Sequence, residues 1–224
     1  MWGKREQVIL WTAAYLPLFL IMFYRFVDSN DFFKKTEWAT WLAQYIDKTV
    51  FDVFIIAGII FISLLIYRLV AIWLFSNYDR QLRAKEIGKI VSIRKYERLS
   101  VNDYSFFLMT LLLPLVSLDQ ASGINLMVTV AIVLIVIAIY VKTDFISVCP
   151  VFFVSGRQVF KAIISDQSKE AEVADSSIRQ EVIIITRDKS LNLNKKFRTV
   201  KLIGDIFYLS SNSNNDDDPD DFQL

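Results

Sequence analysis

The chain has 224 residues, 54% of them hydrophobic, with 25 Lys and Arg against 24 Asp and Glu. A net charge of +1 gives bulk electrostatics no case for a nucleic-acid partner, and no direct nucleic-acid binding is expected. The lone Cys149 excludes an intrachain disulfide, and the absence of histidine removes the commonest general base and metal ligand.

The apolar residues gather in blocks too long for soluble helices. A helix rises about 1.5 Å per residue, so crossing a hydrocarbon layer of about 30 Å takes roughly 20 mostly apolar residues. The first block, about 8–27, follows Lys4 and Arg5 and lacks a small-residue cleavage pattern, so it reads as an uncleaved anchor. Residues 36–48 come next. Trp38, Trp41, Leu42, Tyr45 and Ile46 line one face of a helix there, with Thr36 as N-cap. Such an aromatic face suits the outer membrane interface, where Trp38, Trp41 and Tyr45 are candidate sensing residues; packing against neighbouring spans is the alternative.

The second block, about 53–75, contains a single charge, Arg68, whose long side chain is placed to reach the headgroups or a neighbouring subunit. The helix is expected to continue to about Lys85, with Asp79 and Arg83 as a weak i,i+4 supporting pair, until Gly88 breaks it. In the inter-helix segment 76–103, Ile90–Tyr96 reads as a strand with Val91, Ile93 and Lys95 on one face. The third block, about 104–118, is short and contains Pro114; the fourth, about 124–141, has no charge. The inter-helix segment contains seven basic residues (Arg80, Arg83, Lys85, Lys89, Arg94, Lys95 and Arg98), whereas the turn between the last two blocks has none. The positive-inside bias then puts both termini in the cytoplasm.

Residues 144–210 read as a small cytoplasmic β-rich (α+β) domain. Its expected strands lie in Phe145–Ser155, in Gln158–Ile164 (strand or short helix), in Val182–Arg187, and in Val200–Leu209 broken at Gly204; Asp166–Gln180 reads as a polar loop. The fold class is therefore a four-helix transmembrane bundle with a small β-rich module. Residues 211–224 form an acidic, low-complexity tail expected to be disordered. Its Asp216, Asp217, Asp218, Asp220 and Asp221 are candidates for docking a basic partner, but they lack the ligand spacing of a calcium loop. No nucleotide, hydrolase or metal motif is present, so no catalytic residue, metal or cofactor is expected and the chain does not read as an enzyme.

Several short matches then fall in order. They are Thr110 and Pro114-Leu115 in the third block, Tyr140, Lys142 and Thr143 leaving the fourth, and Pro150, Gly156 and Phe160 beyond. This pattern resembles the membrane subunit of the Kiwa antiphage defence system, the KwaA-like proteins, over about residues 102–164. Cys149 stands where that family has Asn, so the hydrogen-bonding role of that position does not carry over. The resemblance implies a bacterial inner-membrane component of antiviral defence. It would be a homo-oligomer, with a tetramer expected, acting as a sensor and scaffold that recruits a cytoplasmic DNA-binding effector. A small oligomeric channel and a membrane-anchored assembly factor unrelated to phage are the competing functions.

Overall fold

A computed structural model describes residues 2–30, 47–117, 122–165, 179–193 and 195–210. The chain divides into two compact units. One comprises residues 7–70 and 102–151; the other comprises the described parts of 1–6, 71–101 and 152–224.

The first unit is helical. α1 runs over Lys4–Ser29 through Pro17, and α2 over Lys48–Arg83. α3 covers Val101–Ser117 and α4 Gly123–Lys142. α1, α2 and α4 are each long and apolar enough to cross a membrane. α3 sits where the third block is expected, but its 17 residues give only about 26 Å and fall short of that length on their own. α2 has 36 residues, about 54 Å, well beyond what a crossing needs. On α4 the buried residues Thr129, Val133, Ile137 and Tyr140 follow helical spacing. Its remaining faces expose Ile124, Met127, Leu134, Ile135 and Ile139, an apolar surface of the kind that meets lipid.

Aromatic packing holds this unit together. The buried Trp11 stacks on Tyr140 at 4.2 Å between centroids and lies against Phe107 at 5.8 Å. Near the end of α1, the Tyr24 hydroxyl donates to Asp52 at 2.6 Å, and Lys48 pairs with Asp28 at 3.0 Å.

The second unit is built on a closed five-stranded barrel. Its strands are β1 (Lys89–Arg98), β2 (Gln158–Ser165), β3 (Gln180–Thr186), β4 (Lys196–Ile203) and β5 (Ile206–Leu209). The circuit is β1-β2-β3-β5-β4 and back to β1, with β3 and β5 parallel and all other pairs antiparallel. This is the Greek-key circuit of OB-type barrels. Closure removes exposed strand edges. It also depends on β1, the strand from the inter-helix segment, which bridges β2 and β4. The β1–β2 connection therefore contains α3 and α4, so both helices are an insertion within the barrel's sequence.

Alternating residues fill the barrel: Val91, Ile93, Phe160, Ile164, Ile184 and Phe197 are all buried in one cluster. Two sequence expectations change here. A bulge between Ile93 and Lys95 shifts the register, so Lys95 turns out to solvent and Tyr96 packs edge-on against Phe160 at 5.3 Å. And Phe145–Ser155 is not a strand: after turns at 143–149 it forms a short helix, α5 (Pro150–Val154). Pro150 explains the change, because a proline at the first helical position needs no amide partner and has the right φ. Gly88, between α2 and β1, has φ +108°, and a Cβ there would lie 2.9 Å from the Thr199 carbonyl oxygen. Only glycine passes that corner without displacing β4.

Candidate functional site: a charged joint at the end of α2

The last turns of α2 belong to the barrel unit. There Phe75, Asp79 and Leu82 fall at i, i+4 and i+7, so they share one helix face, and all three are buried. Asp79 does not form the i,i+4 pair expected with Arg83. Its Oδ1 accepts the Tyr208 hydroxyl at 2.5 Å, and its Oδ2 meets Arg187 Nη2 at 3.2 Å. One carboxylate thus ties α2 to β5 and to the residue that follows β3.

Phe75 is the hub around this carboxylate. Its ring lies 4.6 Å from Tyr208, 5.0 Å from Trp2 and 5.9 Å from Phe152. The Arg157 guanidinium sits over the same ring at 4.2 Å, within cation–π range. Trp2 is fixed in turn by its backbone amide, which donates to the Leu202 carbonyl at 3.0 Å.

Local chain geometry delivers Arg157 to this place. α5 ends at Gly156, whose φ of +73° lets the amides of Gly156 and Arg157 turn back onto the carbonyls of Phe153 and Phe152. This is a glycine C-cap, and it directs the next side chain inward. Arg157 is 2% exposed. Burial lowers its affinity for a proton, and the nearby Arg187 acts in the same direction against the favourable pull of Tyr208 and Asp79. Burial, then the Asp79 contact, pushes the Tyr208 hydroxyl well above its usual range, so it remains a protonated donor.

The helical unit has polar contacts of its own, in which neutral hydroxyl and amide groups meet a carbonyl, another hydroxyl and the Asp144 carboxylate. Tyr67 donates to the Ala14 carbonyl at 2.7 Å. The Tyr15 hydroxyl and Thr110 Oγ1 lie 3.1 Å apart, and Gln7 Nε2 donates to Asp144 at 2.8 Å.

The residues singled out from sequence distribute unevenly. Thr110 and Tyr140 both line the aromatic core around Trp11 and Tyr15. Pro114 lies within α3, and Lys142 ends α4. Thr143 caps α4, its amide and hydroxyl each donating to Ile139 at 2.9 Å. Pro150 opens α5, Gly156 closes it, and Phe160 is fully buried in the barrel. Arg68 is exposed on α2 and makes no ion pair among the described residues. Trp38, Trp41, Tyr45 and the five tail aspartates lie outside the described residues. Cys149 is buried, and burial pushes its thiol up. Among the described residues no group of three His, Cys, Asp or Glu side chains is placed to hold a metal.

Sequence reasoning missed the joint itself: Trp2, Phe75, Arg157, Arg187 and Tyr208, with Asp79 in a buried role. The available signal was Asp79 lying on one helical face with Phe75 and Leu82, a charge inside an apolar stripe.

A family model described as "Anti-phage protein KwaA" matches residues 6–209, nearly the whole chain. The chain belongs to the KwaA family. The match covers both the helical unit and the barrel, which places this KwaA chain in antiphage defence. No curated protein and no solved structure gives a significant match to it.

Proposed function

We propose that this KwaA chain is a sensor and scaffold of the bacterial inner membrane that recruits a cytoplasmic DNA-binding effector during phage defence. In this reading α3 and α4 cross the bilayer as a hairpin, giving four spans with both termini in the cytoplasm. The chain assembles with itself, as a tetramer, and performs no catalysis of its own. Trp38, Trp41 and Tyr45 meet the outer leaflet, and the tail aspartates 216–218, 220 and 221 offer a contact to a basic partner.

The observation that carries this reading is α2. It runs without a break from residue 48 to residue 83, and its final turns are clamped to the barrel by the buried Asp79. A stiff element anchored at one end is suited to carry a displacement, provided the stimulus favours one of two arrangements. The outer face of β1–β3 supports a protein partner over nucleic acid. Lys95 and Lys161 are outnumbered there by Glu97, Glu181 and, from the β4–β5 turn, Asp205, whereas a nucleic-acid groove is strongly basic.

The test is co-purification from detergent-solubilised native membranes with the product of the neighbouring gene. A stable complex with a soluble DNA-binding protein is the expected result. Failure of the purified chain to bind that product sinks the scaffold reading. Ion flux through liposomes containing this chain alone would favour a channel instead.

A further inference from the structure

We infer that the joint at the end of α2 is an oxyanion-binding site, in which Arg157 receives a carboxylate or phosphate group.

The first argument is geometric. Nε and Nη2 of Arg157 are buried and make no hydrogen bond among the described residues. Those two N–H groups share one edge of the planar guanidinium and point the same way. They form the fork that takes two oxygens of a single carboxylate or phosphate. Leaving such donors unpaired in a buried position costs more than a neutral pair would, because the group is charged.

The second argument is the charge balance. The joint contains two arginines, Arg157 and Arg187, and one carboxylate, Asp79. The Tyr208 hydroxyl donates to Asp79 and adds no charge. Asp188 follows Arg187 in sequence, but no ion pair joins it to either arginine among the described residues. Among the described residues the cluster is short of one negative charge, and an uncompensated buried cation is strongly destabilising. Arg187, with its side chain 42% exposed, gives the joint its opening to solvent.

Two sources of the same chemistry are within reach. One is the chain's own tail: Ser210 lies buried two residues past Tyr208, and six residues later comes Asp216, at most about 21 Å of extended chain away. The other is a free phosphate-bearing anion.

Thermal unfolding of the full-length chain in nanodiscs separates these sources, with inorganic phosphate as the probe against chloride at matched ionic strength. If the tail supplies the oxyanion, replacing its five aspartates with asparagine lowers Tm by about 5 °C and phosphate restores it. The native chain then does not respond to phosphate. If a free anion is the ligand, phosphate raises the native Tm by a similar amount and the tail replacement has no effect. In both cases Arg157→Lys, which keeps the charge and removes the fork, abolishes the response. If Tm changes neither on tail replacement nor on phosphate addition while Arg157 is present, or changes equally in Arg157→Lys, the proposal is overturned. Should Arg157→Lys fail to reach the membrane, the Nε–H resonances of the arginine-labelled native chain decide the matter. One of them must shift on tail replacement or phosphate addition, and no shift overturns the assignment.

Discussion

The two units solve the same problem with different chemistry. Each must hold helices in place through buried polar contacts. In the helical unit those contacts are mainly hydroxyl to carbonyl or hydroxyl to hydroxyl, as in Tyr67 to Ala14 and Tyr15 with Thr110. In the barrel unit they are ionic, with Asp79 between Tyr208 and Arg187 and Arg157 close by. The surroundings proposed above, lipid for the helices and water for the barrel, explain the choice. An ion within lipid is expensive whatever it pairs with, whereas a tyrosine in a bundle satisfies its own hydroxyl and secures a neighbouring helix. A barrel in water tolerates a buried carboxylate when two partners hold it, and gains a contact that can be broken by charge. Fixed packing on one side and a labile joint on the other would suit the sensor role proposed above.

The contrast can be broken at several points. Trp11→Ala removes the ring that meets Tyr15, Phe107 and Tyr140, and should cost the helical unit about 4 kcal/mol, read as lost thermal stability in detergent. Asp79→Ala leaves Arg157 and Arg187 uncompensated and should cost the barrel unit about 3 kcal/mol. Asp79→Asn keeps an acceptor for Tyr208 and should cost less; equal losses for the two would show that charge contributes little at the joint. Tyr67→Phe deletes one neutral hydrogen bond, worth about 1 kcal/mol. A loss as large as that of Asp79→Ala would erase the distinction between the units. Smallest of all, Lys48→Ala opens an exposed ion pair with Asp28 and should change stability by less than about 0.5 kcal/mol in equilibrium unfolding.

Much of this architecture was legible in the chain. Apolar length alone located α1, α2 and α4, and Gly88 marked the corner where α2 gives way to β1. The strand nature of β1 could be read from Ile90 to Tyr96, but the turn of Lys95 outward could not, because a bulge leaves no local sign when both faces contain usable residues. The stretch Phe145–Ser155 misled for a different reason. Its β-branched and aromatic residues suit a short helix with one buried face as well as a strand, and Pro150 at the first helical position decided the outcome. The joint was hidden by distance along the chain. Asp79 and Tyr208 are 129 positions apart, whereas spacing arguments reach only to i+4 or so and offered Arg83 instead. The family signal, by contrast, came from residues such as Tyr140, Thr143 and Gly156, which cap or pack elements within single units.

The proposed function turns on α2 remaining helical through Val70 and Ala71, where its residues pass from the helical unit to the barrel unit. A short glycine insertion after Val70 should leave both units folded and the chain at normal membrane levels. Phage protection, measured by plaque counts at matched expression, should then fall by an order of magnitude or more. Full protection with the helix interrupted would contradict the account.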